Sequence, residues 1–206
     1  FELPDVSIDH FITEATFALP IYKWKPHQAL KQQVLHFADE ALQNDYTPIF
    51  QAYNLGKAQE LMYWLKALDH PMQIHGAGYK LCSVYEEFGF ELGNYSTYDR
   101  ATCEGKILLT PGSAIGNGFA SNLKKTRYAY CSGWAAHESR RSQLTVDALI
   151  PLSDHLDFFE LIEICKELQP ELVHITHTPN PDVLRHFLDN EGIKSSFLDL
   201  EVEVND

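Results

Sequence analysis

No apolar stretch in this chain approaches the ~18 residues that a membrane-spanning helix needs, and no basic-then-apolar leader opens it. It therefore reads as a cytoplasmic protein. Cysteine is scarce: Cys82, Cys103, Cys131 and Cys165 stand far apart with no CxxC pair, which speaks against a zinc knuckle or a disulfide framework and for free thiols. GxGxxG and GxxxxGK[ST] are both missing, which removes the usual support for dinucleotide or nucleoside-triphosphate binding. GxSxG is missing too, so Ser132 and Ser153 have no nucleophile elbow. Positive charge is in short supply, 16 Lys and Arg against 29 Asp and Glu, for a net charge of −13. Proteins that grip nucleic acid over their whole surface are usually basic, so only a local groove is compatible with this balance. Lys124, Lys125 and Arg127, then Arg140 and Arg141, bunch in one region; they can neutralise a few phosphates or form a solvated face. The chain opens at Phe1 without a methionine, and the expectation is that further residues precede it.

What is present is enough for one good core or two small ones, with 206 residues and 45% hydrophobic content. A short strand pattern over 8–13 gives way to a helix that starts at Pro26 and repeats Leu30, Val34, Phe37, Ala38 and Leu42 on one face until Asn44 and Asp45. A strand over 46–50, the Asn54-Leu55-Gly56 turn and a helix over 57–68 make a tight βα unit. The alternation continues with a strand over 72–75, a helix over 81–88, a strand over 106–110, a glycine-bearing segment 112–118 and a strand over 126–131. Beyond the polar stretch 137–143 come a strand over 148–152, a helix over 157–168 stopped by Pro170, and a strand over 172–176. A helix then begins at Asn180 and Pro181 and closes at Gly192, and a last strand covers 193–200. Alternation of this kind implies a largely parallel, doubly wound α/β arrangement. The two groups look like separate sheets, and the first strand resembles the later group, so the middle reads as an insertion. The expected divisions are 1–24, 25–143 and 144–206.

Three residues concentrate the chemistry. His155 in PLSDHLDF and His177 in VHITHTPN each follow a short apolar run, which puts both at the carboxyl edge of a sheet, where loops converge on ligands. Glu14 in HFITEATF has a similar setting. Two histidines and a carboxylate are raw material for a metal or acid-base site, and Asp157 lies beside His155. His174 and His177 are three apart, so only one of them points into a given site; His177 is the better ligand and His174 the better packed residue. The PGSAIGNG segment, with Ser113 among its glycines, either cradles phosphate with backbone N–H groups or is a structural turn.

In order along the chain, FITEATF, QAYNLGKAQELMYWL, GSAIGNG, CSGW, PLSDHLDF and VHITHT resemble the β-CASP branch of the metallo-β-lactamase superfamily, nearest to its ligase-associated DNA exonucleases and mRNA 3′-end processing factors. The resemblance implies a Rossmann-like β-CASP domain inserted into a metallo-β-lactamase αββα domain, of which this chain holds the C-terminal part, and a nuclease with two zinc ions. By position it makes Glu14 and His155 a hydrogen-bonded catalytic pair, joined by Asp157, and His177 a zinc ligand. It brings Gly56, Lys57 and Gln59 of GKAQE to a substrate cleft, where Ser113, Lys124, Lys125, Arg140 and Arg141 are further candidates for contact with DNA or RNA. Two departures stand out. Thr178 and Pro179 replace the glycine and acidic residue that usually follow the third-motif histidine, and the HxHxDH zinc signature is absent. The expectation is therefore the C-terminal portion of a zinc-dependent nuclease, inactive alone, with nucleic acid and DNA-repair or ligase-associated proteins as partners and a homodimer left open. The competing readings are a catalytically silent β-CASP subunit that only binds nucleic acid or a partner, and an unrelated Rossmann-like transferase that uses the PGSAIGNG turn.

Overall fold

The computed structural model describes residues 3, 6–137, 139–178 and 180–198 of the chain. It divides into two compact units: a continuous one, Lys25–Asp154, and a discontinuous one made of the residues up to Trp24 and from His155 onward. Among the described residues the strands form two sheets, both parallel throughout. The chain is thus α/β with Rossmann-like alternation, as the sequence pattern implies.

In the continuous unit, α1 (His27–Gln43) leads to β2 (Thr47–Gln51), α2 (Lys57–Leu65), β3 (Met72–Ile74), α3 (Gly76–Glu87), β4 (Tyr95–Thr97), β5 (Ile107–Thr110), α4 (Gly112–Gly116), β6 (Thr126–Cys131), α5 (Ser139–Gln143) and β7 (Ala148–Ile150). The sheet order is β4-β3-β5-β2-β6-β7. Helix α1 forms because Leu30, Val34, Phe37, Ala38 and Ala41 recur every three or four residues and all go to the core. It stops where the Asn44 amide folds back on the Glu40 carbonyl at 2.7 Å and Asp45 turns left-handed at φ 60°. Strand β2 is buried at every position, which is why Pro48, Ile49 and Phe50 run together with no alternation between polar Thr47 and Gln51. Phe50, Leu61, Met62 and Leu65 are fully buried in the main core, each worth roughly 1.5–3 kcal/mol.

The other unit pairs β1 (His10–Glu14) with β8 (Leu172–Thr176) and β8 with β9 (Ser195–Phe197). Phe11, Val173 and Ile175 face Phe158, Leu161 and Cys165 of α6 (Phe158–Leu168) and Leu184 and Leu188 of α7 (Pro181–Asn190). The opposite face carries His10, Ile12, Glu14, His174 and Ser196. There the His10 and His174 rings stack at 5.2 Å and share a 2.9 Å hydrogen bond, and Ser196 Oγ lies 3.2 Å from His174 Nδ1.

Several expectations need correction. The strand over 148–152 does not join the C-terminal group: it is β7, it pairs with β6 through Ala129 and Ala148, and its Ile150 is part of the main core. Helix α3 starts at Gly76 and not near 81, because the His75 side chain accepts from the Ala77 N–H and caps it. Strand β4 was not foreseen; a three-residue polar edge strand has no hydrophobic period to betray it. Asn180 precedes α7 but makes no side-chain cap, and Pro181 alone starts the helix. The final strand is confined to Ser195–Phe197, and the positions beyond 198 lie outside the described residues.

Candidate active site and nucleic-acid interface

Glu14 is the last residue of β1, and Thr176, the last of β8, is its register partner. His177 comes next, in the left-handed region at φ 48°, with Nδ1 2.8 Å from the Thr176 hydroxyl. A sharp turn at the carboxyl edge thus lifts His177 off the sheet beside Glu14. His155 arrives differently from the sequence expectation. The strand before it belongs to the six-stranded sheet, so His155 is not at the edge of the same sheet as His177. It is held beside Glu14 by the loop that leads into α6.

The Glu14 Oε1 to His155 Nδ1 distance is 2.9 Å. The other carboxylate oxygen accepts from the Thr16 N–H at 2.9 Å. Partial burial pushes the Glu14 carboxyl up, but hydrogen bonds from Thr16 and then His155 outweigh it and hold the group below its ordinary value. An ionised carboxylate on Nδ1 fixes the ring's orientation and makes Nε2 its basic nitrogen. That is the arrangement a proton-transferring histidine requires.

Asp157, the third member expected of the catalytic group, is occupied elsewhere. It is buried at the N-cap of α6, where Oδ1 accepts from the Phe159 and Glu160 N–H groups at 2.8 and 2.9 Å and Glu160 answers on the Asp157 N–H at 2.9 Å. Its Oδ2 accepts from the Trp24 N–H at 2.6 Å. The Trp24 indole in turn donates to the His155 carbonyl at 2.8 Å. Trp24 therefore clasps the His155–Asp157 loop at both ends. The Phe17 ring meets His155 edge-on at 5.6 Å and Trp24 at 5.1 Å, with Tyr22 4.9 Å from Phe17. Sequence reasoning missed Thr16, Phe17, Tyr22 and Trp24. The only available signal was that they crowd into the ten residues after Glu14.

The GKAQE residues are turned inward. Gly56 precedes α2 at φ 81°, a conformation that favours glycine. The Lys57 side chain is only 5% exposed; its Nζ lies 2.6 Å from Asp154 Oδ2 and 5.3 Å from the Tyr53 ring centre. Gln59 is buried and donates to the Asn54 and Gly78 carbonyls at 2.9 and 3.3 Å, sewing the turn to α3. These residues build the turn, and it is Asp154 and Tyr53 that reach solvent.

The basic residues do not gather as expected. Lys124 and Lys125 precede β6 at the amino edge of the sheet, whereas Arg140 follows it; six strand residues at about 3.3 Å each separate the two groups. Lys125 and Arg127 lie over Tyr46, and Arg127 pairs with Glu40 at 3.1 Å. Arg140 lies over Trp134, and the Arg141 side chain falls outside the described residues, as does Pro179. Ser113, on α4, does line the crevice at the carboxyl edge. Among the described residues no three His, Cys, Asp or Glu side chains converge to hold a metal ion, and no helix is long and apolar enough to cross a membrane. The zinc pair implied by the resemblance does not fit these residues alone, since His177 is a single ligand.

No family model matches the chain. A protein of Opitutus terrae described as "Probable DNA ligase" is 31% identical to it over 166 residues. The match covers 81% of this chain but 16% of that protein, so the chain corresponds to a small part of its relative's length.

Proposed function

We propose that this chain belongs to a β-CASP phosphodiesterase that hydrolyses nucleic acid, DNA in the first place, and that it carries the proton-transfer pair of that reaction. The observation that carries the reading is the 2.9 Å Glu14–His155 contact, with Glu14 kept ionised by Thr16. Similarity to a protein named as a DNA ligase supports a place in DNA metabolism and favours DNA over RNA. It also supports DNA-repair or ligase-associated proteins as partners. Zinc dependence is part of the proposal: His177 is the residue here that would bind zinc, through a neutral ring nitrogen, with the other ligands supplied beyond the described residues.

The chain's own residues perform a limited set of tasks. Glu14 orients His155 through its Nδ1. His155 then donates a proton to the leaving oxygen as the phosphodiester bond breaks. The Trp24 clasp and the Asp157 cap hold the imidazole in place, which matters because small displacements of a catalytic group are costly in rate. Asp157 is thus a positioning residue.

The test uses labelled single-stranded DNA and RNA, with the parent protein carrying either wild-type sequence or His155→Ala. His155→Ala should lower hydrolysis by roughly 10²–10⁴-fold while zinc content is unchanged, and His177→Ala should lower zinc content as well. Equal zinc loss in the two variants would overturn the division of roles. A second reading, a silent subunit that only binds nucleic acid or a partner, is favoured by the lack of a converging metal cluster among the described residues. It predicts undiminished binding and no cleavage in either protein.

A further inference from the structure

The carboxyl ends of β2, β5 and β6 open into a crevice of about 450 Å³. The chain runs to one side of β2 through β3 and β4 and then crosses to the other side through β6 and β7, so this is the point in a parallel sheet where helices diverge and a ligand can enter. Its lining is uncharged: the Gln51 and Asn54 amides, the Ser113 and Ser132 hydroxyls and the Tyr53 and Tyr130 rings. Gln51 is the informative member. The residue as a whole is 8% exposed, and its carboxamide, which makes no hydrogen bond among the described residues, lines the crevice. Its Oε1 faces the crevice wall 3.7 Å from where a Cβ on Gly112 would sit. The amide is reachable from the crevice and not sealed in the core, so its donors and acceptor are open to a ligand that enters there.

A second cleft of about 360 Å³ adjoins the first and shares Pro111 and Ser113 with it. Here the lining includes His75 and Arg100, and Arg100 has the Ser121 hydroxyl at 3.3 Å and no carboxylate partner among the described residues. A neutral pocket of amides and tyrosines thus lies next to a cationic one. A nucleotide has the same order of parts, a flat ring with neutral donors and acceptors, then a phosphate. We infer that the crevice is a nucleobase-binding site in which the Gln51 carboxamide pairs with the edge of the base, while the phosphate lies toward Arg100. This rests on the proposed action on nucleic acid and adds to it a base preference read by one amide. The base can belong to a strand or to a free mononucleotide, since the recognising chemistry is shared.

The test is a titration of the isotope-labelled full chain with the four deoxynucleoside monophosphates and with short single-base oligomers, followed at the Gln51 side-chain amide and Tyr130. The expected result is a shift of both signals with at least one base, and an affinity about tenfold weaker in Gln51→Leu. The thermal midpoint of that variant should not fall, because the carboxamide makes no hydrogen bond among the described residues; a structural glutamine would give the opposite. Gly112→Ala, which adds a methyl at ordinary contact distance to Gln51, should weaken binding as well. Shifts with oligomers only would assign the site to bases within a strand, and shifts with both would extend it to free nucleotides. Unshifted Gln51 signals throughout, or undiminished affinity in Gln51→Leu, would overturn the inference. Hydrolysis of DNA with unshifted Gln51 overturns it and leaves the proposed function standing; nucleotide binding at Gln51 without hydrolysis by the parent protein does the reverse.

Discussion

Glu14 combines two tasks that pull in different directions. It must be buried enough to fix a histidine, and burial pushes its carboxyl toward the protonated form. The Thr16 N–H resolves the conflict by stabilising the anion. Because folding lowers its value below the ordinary 4.5, the folded state releases this proton more readily than the unfolded state does. Its contribution to stability is fully present above pH 4.5 and is lost as pH falls through the lowered folded value. Glu14→Gln should therefore flatten the acid limb of a stability-against-pH curve measured by urea denaturation, and leave the neutral limb parallel to wild type. At Asp157 the effect belongs to the helix end. Asp157→Ala removes acceptors for three backbone N–H groups, and a cap of this kind is worth roughly 0.5–2 kcal/mol before the Trp24 bond is counted. Urea unfolding should show that loss, and hydrolysis by the parent protein should fall with it as the His155 loop loosens. The Glu14–His155 pair was legible through the family resemblance, and that His174 bonds within the fold was legible from strand alternation, whereas strand context put His155 at the edge of the wrong sheet. The clasp was not legible, because no local pattern says that an indole will find a carbonyl 131 positions away.

Among the elements, α3 is the one where two ordinary rules oppose each other. Gly78 sits inside that helix, and alanine in such a place normally stabilises by about 1 kcal/mol. A Cβ on Gly78 would, however, stand 2.8 Å from Cδ1 of the fully packed Ile74 and 3.3 Å from the Asn54 amide oxygen. Overpacking of that sort costs about 1–3 kcal/mol, so Gly78→Ala should lower the thermal midpoint despite the gain in propensity. The same close approach lets the Gly78 carbonyl receive Gln59, which joins α2 to α3. The long helices and buried strands were readable from their periods: α1 and α6 fall almost where apolar spacing puts them. Short polar elements were not. Strand β4 depends on pairing with β3 through Met72 and Tyr95, a tertiary fact that its own three residues do not encode. Strand β7 was readable as a strand but not as to its sheet, since ALI fits either core equally well.

At the scale of the molecule, charge limits the proposed contact with nucleic acid. With a net charge of −13 and its basic residues divided between opposite edges of one sheet, the chain can neutralise few phosphates. For single strands each neutralised phosphate contributes about 0.7 to the slope of log affinity against log salt, so a slope no steeper than about −2 is expected in a salt titration with a labelled oligonucleotide. A slope several times steeper would require a basic surface that the described residues do not form. The two-unit division also bears on how the chain acquires its structure. The widest strand pairing of the continuous unit links Thr47 to Thr126, whereas β1 meets β8 in a register that links His10 to Leu172, across the whole of the other unit in sequence. Closing so long a loop costs entropy that must be lost before pairing gives anything back. Refolding followed at Trp24 is therefore expected to report the β1–β8 pairing, and with it the Glu14–His155 contact, after the continuous unit has formed. A nascent or stressed molecule is then expected to pass through a stage with the crevice at the carboxyl edge built and Glu14 and His155 still apart.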